Sequence, residues 1–138
     1  MVNKDILYKR IERAQEYILI LKDIRENLSL EDFKKDLIIQ GSVERYLHLT
    51  IEALLDIGNH IIADEGLGKV EVYSDIAKIL SLNKYINKEQ EEIFVKIIGF
   101  RNILVHDYLS IDKDIVYEIL ENGLGDLEDI LREFGKLL

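Results

Sequence analysis

The chain has 138 residues without cysteine, proline or tryptophan, and its 18 Lys and Arg against 27 Asp and Glu give a formal net charge of −9. This length suits a single domain with a real hydrophobic core, and the lack of cysteine excludes disulfides, thiolate zinc sites and a cysteine nucleophile. The negative charge argues against a general nucleic-acid binder, so any contact with a polynucleotide must be local.

No run free of charged residues exceeds seven residues, which is far below the roughly 20 that a membrane span requires. The N-terminal residues also lack the basic start and apolar centre of a signal peptide. We therefore expect a cytoplasmic protein with no membrane contact.

The first half of the chain reads as three helices, because apolar residues recur at spacings of three and four and no stretch has the alternation of a strand. The first helix is predicted over about residues 7–28. The second is predicted over about residues 30–39, and Ser29 marks its start. We expect the side chains of Phe33, Leu37 and Ile38 to be buried and so to hold the second helix against the core.

The third helix is predicted over about residues 42–64, with Ser42 as its N-cap and Gly66 just after its end. Gly58 lies in the middle of this helix, where glycine costs about 1 kcal/mol relative to alanine. We therefore expect another segment to approach the backbone closely at Gly58.

The second half of the chain contains four further helical segments. A short helix covers about residues 74–82, Asn87 caps a longer helix that reaches about residue 105, and Asp112 caps another short one. Gly123 and Gly125 separate that helix from a last amphipathic one. The fold class is therefore all-α, an up-and-down bundle of four to five main helices in one domain over residues 1–138.

Two of the three histidines have no obvious chemistry. His48 and His60 are twelve residues apart on one predicted helix and lack the four-residue spacing of metal ligands. We interpret both as surface or half-buried polar residues. The sequence offers no glycine-rich phosphate loop and indicates neither a metal nor a cofactor.

The third histidine lies in a cluster of useful polar groups near the end of the long helix, Arg101-Asn102-Ile-Leu-Val-His106-Asp-Tyr108. The planar guanidinium of Arg101 fits a phosphate, and His106 can give or take a proton near neutral pH. Asn102 lies one turn before His106 and could hydrogen-bond it or a phosphate. A purely structural alternative is that Arg101 pairs with a glutamate on a neighbouring helix and His106 satisfies a helix C-terminus.

These residues resemble the Arg-x4-His-x-Tyr motif of the HepT toxins in the HEPN superfamily, and the run from Val43 to Ala63 resembles that family's second long helix. The resemblance implies a metal-independent ribonuclease toxin that pairs with a small nucleotidyltransferase antitoxin, MntA. Carried over by position, Arg101 and His106 are catalytic, Asn102 is a supporting polar residue, and Tyr108 is the site at which the antitoxin adds AMP. It also implies a homodimer with both motifs at the interface, acting on an RNA substrate.

The implied chemistry is consistent with the residue types. The 2′-OH of RNA is an internal nucleophile, so cleavage needs a base, an acid and a cation at the phosphate, and a 2′,3′-cyclic phosphate product is expected. At 100° per residue, however, Arg101 and His106 lie about 140° apart around a straight helix. We therefore expect one chain to build an incomplete site. Either the helix ends near His106 and the chain turns, or a second subunit completes the cleft.

A different class of function also fits the sequence. The chain could be a non-catalytic helical module that binds a nucleotidyltransferase partner and presents a nucleotide or substrate, which the charge of −9 favours slightly. The sequence leaves open which RNA is cut and where. It also leaves open whether Asp107, Arg45 or His48 contributes to the cleft.

Overall fold

The computed structural model describes residues 2–138, apart from the side chain of Tyr108. These residues contain no strand, so the predicted all-α class is confirmed, and each predicted helical segment corresponds to an observed helix. The elements in chain order are α1 Lys4–Arg25, α2 Leu30–Lys35, α3 Leu37–Glu65, α4 Tyr73–Leu82, α5 Lys88–His106, a 3₁₀ helix Tyr108–Ser110, α6 Lys113–Asn122 and α7 Leu124–Gly135. Within the described residues, no helix is both long enough and apolar enough to cross a membrane.

The longest helix, α3, lies at the centre of the bundle and contacts all six other α-helices. Most of its apolar side chains are buried in one continuous core, which removes them from water and drives the packing. Helix α1 covers one side of α3 and also contacts α7, while α4 packs between α3 and α5. This arrangement brings the start of α4 next to the second half of α5.

The boundary between α2 and α3 differs from the prediction. The helix α3 begins at Leu37 and not at Ser42, because Asp36 is its N-cap and accepts hydrogen bonds from the N–H groups of Ile38 (3.0 Å) and Ile39 (3.1 Å). The predicted burial of Leu37 and Ile38 is therefore wrong, since both lie in the exposed first turn of α3, with 80% and 82% of their surface accessible. The predicted burial of Phe33 is confirmed.

The predicted helix ends of α5 and α6 are confirmed by their hydrogen bonds. Asn87 and Gln90 form a reciprocal capping box at the start of α5, with N···O distances of 2.7 and 2.9 Å. Asp112 caps α6 by accepting from the N–H of Asp114 at 2.9 Å. Gly66 ends α3 in the left-handed conformation, with φ at 60°, which glycine adopts without a steric penalty.

The expected close approach at Gly58 is also confirmed. A Cβ atom at this position would lie 2.7 Å from Cγ2 of Ile76 and 3.1 Å from Cδ1 of Leu80. Both of these residues belong to α4, so glycine lets α4 pack directly on the backbone of α3. The position of α4 matters for the site because its first residues form one wall of the groove described next.

Candidate active site

The helix α5 ends at His106, and the chain turns immediately afterwards. The N–H of Asp107 donates to the carbonyl of Ile103 at 2.9 Å, and the carbonyl of Asp107 accepts from the N–H of Ser110 at 2.9 Å. Tyr108 therefore begins a 3₁₀ helix and does not continue α5. This is the first of the two arrangements that the sequence left open. The side chain of Tyr108 lies outside the described residues.

The guanidinium of Arg101 is held on three sides. Its Nε–H donates to Oε1 of Glu52 on α3 at 2.5 Å, and its Nη1 donates to Oδ1 of Asn102 at 3.2 Å. The guanidinium carbon also lies 4.6 Å from the centre of the Tyr73 ring, a cation–π contact. Only 12% of the Arg101 side chain is exposed. The predicted structural alternative, a glutamate partner on a neighbouring helix, is therefore confirmed for Arg101.

Glu52 belongs to a longer chain of polar contacts along α3. The Nε2 atom of His48 lies 3.3 Å from Oε1 of Glu52, and Nδ1 of His48 lies 3.3 Å from Nη1 of Arg45. Because arginine can only donate, Nδ1 must accept, and the proton of the neutral ring is therefore on Nε2, facing Glu52. One carboxylate oxygen thus faces both the Arg101 and the His48 donors.

Arg101, Asn102 and His106 line one open groove of about 850 Å³. The opposite wall comes from the loop before α4 and its first residues, Val70–Ser74. Asn102 and His106 are exposed, whereas Arg101 is mostly covered. Arg45, His48 and Glu52 are not part of the lining.

The angular positions along α5 explain how both motif residues reach this groove. With Arg101 set at zero, Ile98 lies at about 60°, Asn102 at about 100°, His106 at about 140° and Gly99 at about 160°. All of these residues line the groove, so Arg101 marks one edge of a broad sector and His106 lies near the other. Both residues therefore border one groove of a single chain, and the expectation that one chain builds an incomplete site stays a prediction.

A carboxylate fixes the wall opposite α5. Oδ2 of Asp75 accepts from the N–H groups of Glu71 (3.0 Å) and Val72 (3.1 Å), which closes the turn into α4. The hydrogen bond from the Val72 backbone, followed by that from Glu71, lowers the pKa of Asp75 below the ordinary value for an aspartate. The ionised carboxylate therefore stabilises the turn that carries Tyr73.

A family model described as ribonuclease HepT-like matches residues 14–134 of this chain. The chain belongs to this family. The match includes α3, α4 and α5, and so the whole groove. The family that the motif resembled is thus confirmed.

Individual HepT-like proteins agree with this assignment over nearly their whole length. The mRNA nuclease HepT of Shewanella oneidensis is 32% identical over 127 residues, 92% of this chain and 94% of that protein. The tRNA nuclease HepT of Aphanizomenon flos-aquae is 30% identical over 135 residues, 96% of this chain and 90% of that protein. The structure of a tri-AMPylated S. oneidensis HEPN toxin in complex with an MNT antitoxin has a TM-score of 0.88 and 30% identity, covering 96% of this chain and 98% of that one.

Two residues of this HepT-like site escaped the sequence analysis. Glu52 and Tyr73 contact Arg101 from α3 and α4, but they lie 49 and 28 positions before it in the chain. The only local signal for Glu52 was its place one helical turn after His48. No local signal indicated Tyr73.

The remaining polar residues of interest lie outside the groove or make no contact within the motif. Nε2 of His60 lies 3.4 Å from Oδ2 of Asp64, elsewhere on α3. In the part of the chain that the structure describes, the side chain of Asp107 makes no hydrogen bond to His106. No group of three or more histidines and carboxylates among the described residues is placed to hold a metal ion.

Proposed function

We propose that this protein is the ribonuclease toxin of a toxin–antitoxin system, with Arg101 and His106 as its catalytic residues and Asn102 as a supporting one. The observation that carries the proposal is the single groove in which Arg101, Asn102 and His106 meet, in a chain of the ribonuclease HepT-like family. Phosphodiester cleavage without a metal needs a base, an acid and a cation at the phosphate, and an imidazole and a guanidinium are groups of these kinds.

The proposed reaction uses the 2′-OH of the RNA as its nucleophile. A neutral imidazole removes the 2′ proton while O2′ bonds to phosphorus and the bond to O5′ breaks, and a protonated imidazole gives a proton to O5′. Arg101 stabilises the negative charge that develops on the phosphoryl oxygens. The products are a 2′,3′-cyclic phosphate and a 5′-OH.

A homodimer would supply the second imidazole of this mechanism. Each chain carries one histidine in the groove, His106, whereas the reaction uses a base and an acid together. A two-fold axis beside the end of α5 would bring two copies of His106 and two of Arg101 to one cleft. The groove is open rather than enclosed, so a second chain can approach it.

The side chains that line the groove suit single-stranded RNA. Val72 and Tyr73 expose 60% and 44% of their surface on the wall opposite His106. Apolar and aromatic groups beside a cation are typical of sites that hold unpaired bases next to their phosphates. The lining carries one arginine, Arg101, and one glutamate, Glu71, so it is less acidic than a chain with a net charge of −9.

We further propose that a nucleotidyltransferase antitoxin silences the toxin by adding AMP to Tyr108. The similar S. oneidensis toxin is AMPylated and bound to an MNT antitoxin. In this chain, Tyr108 lies two residues after His106, the last residue of α5. A bulky anion attached there would compete with an RNA phosphate for Arg101. No added mass on Tyr108 after incubation with the antitoxin and ATP would contradict this part of the proposal.

Expression in a bacterial host tests the toxin assignment. We expect the wild-type chain to arrest growth and His106→Ala to abolish the arrest. The matched control is His60→Ala, because His60 is another partly exposed histidine but does not line the groove. Normal growth with the wild-type chain would instead favour the non-catalytic module that presents a nucleotide, which the net charge of −9 also suits.

A further inference from the structure

We propose that Glu52 is a positioning residue that holds the Arg101 guanidinium in the orientation needed to meet a scissile phosphate. This inference deepens the proposed ribonuclease function and rests on it. The evidence is the hydrogen bond between Arg101 Nε and Glu52 Oε1 at 2.5 Å, which ties the end of α5 to the middle of α3.

The contacts of Arg101 leave part of its guanidinium available. Of its five N–H groups, Nε–H donates to Glu52 and one N–H of Nη1 donates to Asn102. Nη2 makes no hydrogen bond among the described residues. Three N–H groups therefore remain for the oxygens of a phosphate, and Arg101 is one of the residues that line the groove.

The surroundings of Glu52 suit a residue that orients rather than one that binds RNA. Its side chain is 35% exposed and does not line the groove. His48 lies 3.3 Å from the same oxygen that accepts from Arg101, which limits the positions the carboxylate can take. The Tyr73 ring covers one face of the guanidinium. Together, Glu52, Asn102 and Tyr73 restrict both the direction and the plane of Arg101.

A fixed guanidinium matters because transition-state charge is stabilised best by donors that are oriented beforehand. A free arginine side chain samples many rotamers, and about 1 Å of misplacement can lower a rate about 100-fold. Removing Glu52 would therefore affect the chemical step more than the binding of RNA. Replacing it with glutamine keeps an oxygen that can accept the Nε–H.

Steady-state cleavage of a short RNA by the full-length protein tests this role. For Glu52→Ala we expect kcat to fall about 10- to 100-fold with KM changed less than about threefold, and for Glu52→Gln we expect kcat within about threefold of wild type. Glu128→Ala is the matched control, because Glu128 makes an interhelical ion pair with Lys22 at 2.8 Å and is also 35% exposed. We expect this control to leave kcat unchanged.

The outcomes separate positioning from other roles of Glu52. If Glu52 only stabilised the fold, Glu52→Ala would lower the Tm and leave kcat per folded molecule unchanged, and the proposal would be overturned. A higher kcat in Glu52→Ala would overturn it too, because Glu52 would then be competing with RNA for Arg101.

A second measurement does not depend on activity. The side-chain Nε–H signal of Arg101, assigned by its absence in Arg101→Lys, should be protected from exchange with water in wild type and Glu52→Gln and unprotected in Glu52→Ala. An unchanged signal in Glu52→Ala would disprove the positioning role even if RNA is cleaved. If wild type does not cleave RNA, the proposed function fails, and this signal alone decides whether Glu52 orients Arg101.

Discussion

The side chain of Arg101 combines two requirements that usually conflict. A catalytic cation must face the substrate, yet a long flexible side chain loses conformational entropy when it is held in one place. Here the stem is largely covered, a carboxylate fixes one edge, and an aromatic ring covers one face. These contacts restrict the guanidinium in the free protein, so the proposed binding of RNA would need less ordering of this side chain.

The planar shape of the Arg101 guanidinium should therefore matter as much for kcat as its charge. We expect Arg101→Lys to lower kcat at least about 10-fold, because an ammonium lacks the Nε–H that meets Glu52 and cannot stack its plane on Tyr73. The measurement is kcat on a short RNA. Arg132→Lys is the control, since Arg132 pairs with Asp129 on α7 and does not line the groove, and equal rates for both variants would contradict this argument.

At the scale of the helices, the groove depends on how closely α4 packs against α3. A methyl group at Gly58 would meet Cγ2 of Ile76 at 2.7 Å, and the β-branched isoleucine has little freedom to move away. Overpacking of this kind costs about 1–3 kcal/mol, more than the roughly 1 kcal/mol that alanine gains over glycine in a helix.

We therefore expect Gly58→Ala to lower the free energy of unfolding by up to about 2 kcal/mol. Gly41 offers a matched control on the same helix, because a Cβ atom there meets nothing within 4 Å. Gly41→Ala should raise the free energy of unfolding by about 0.5–1 kcal/mol. Chemical denaturation measures both, and stabilisation by both substitutions would show that α4 does not press on Gly58.

The turn into α4 should be sensitive to acid. Because hydrogen bonds from Val72 and Glu71 lower the pKa of Asp75 in the folded state, its contribution to stability is present above the unfolded pKa. It is lost as the pH falls through the folded pKa. We expect Asp75→Asn to lower the Tm at pH 7, and we expect the difference from wild type to shrink below about pH 4.

Thermal unfolding followed by circular dichroism between pH 3 and 7 measures this difference. Asp23→Asn is the control, since Asp23 is exposed on α1 and makes no hydrogen bond among the described residues. A difference for Asp75→Asn that stays constant down to pH 3 would show that the carboxylate does not act through its charge.

The helices themselves follow from local sequence signals, whereas their contacts do not. Apolar spacing and capping residues such as Asn87 and Asp112 act within a few positions, so they predicted the elements and most of their ends. The start of α3 was missed because Asp36 and Ser42 are both good caps, and only tertiary packing selects between them. Leu37 and Ile38 then lie on the exposed turn.

The residues of the site that are close in sequence could be predicted, whereas those that come from distant helices could not. The candidate residues Arg101, Asn102 and His106 lie within six positions, so their spacing was visible. Glu52 and Tyr73 reach Arg101 only because α3 and α4 pack beside α5, and a pairing between distant helices leaves no periodic trace in one sequence. A helical projection placed Arg101 and His106 about 140° apart, and only the packing of α4 against α5 shows that one groove is wide enough to include both.

At the scale of the whole molecule, the negative charge of the chain disfavours contact with RNA outside the groove. A net charge of −9 disfavours the approach of RNA, so under the proposed function the affinity for RNA would come from the few groups in the groove. A second chain would double these groups. The dimer would have a mass of twice 16.1 kDa, with the ends of both α5 helices facing each other.

Mixing variants tests the shared cleft. If both copies of each residue are needed, then His106→Ala chains mixed with Arg101→Ala chains should not regain full activity, because every mixed dimer lacks one of each. Co-purification of one variant through an affinity tag on the other checks that mixed dimers form. Full activity of an isolated wild-type monomer would contradict the composite cleft.

The proposed cleavage of RNA by Arg101 and His106 without a metal ion can be checked on the ends of the RNA products. Total RNA is incubated with the wild-type protein and with His106→Ala in the presence of a chelator. We expect RNA with 2′,3′-cyclic phosphate and 5′-OH ends from the wild type and none from the variant. Ends with a 3′-OH, a requirement for Mg²⁺, or equal cleavage by His106→Ala would contradict it.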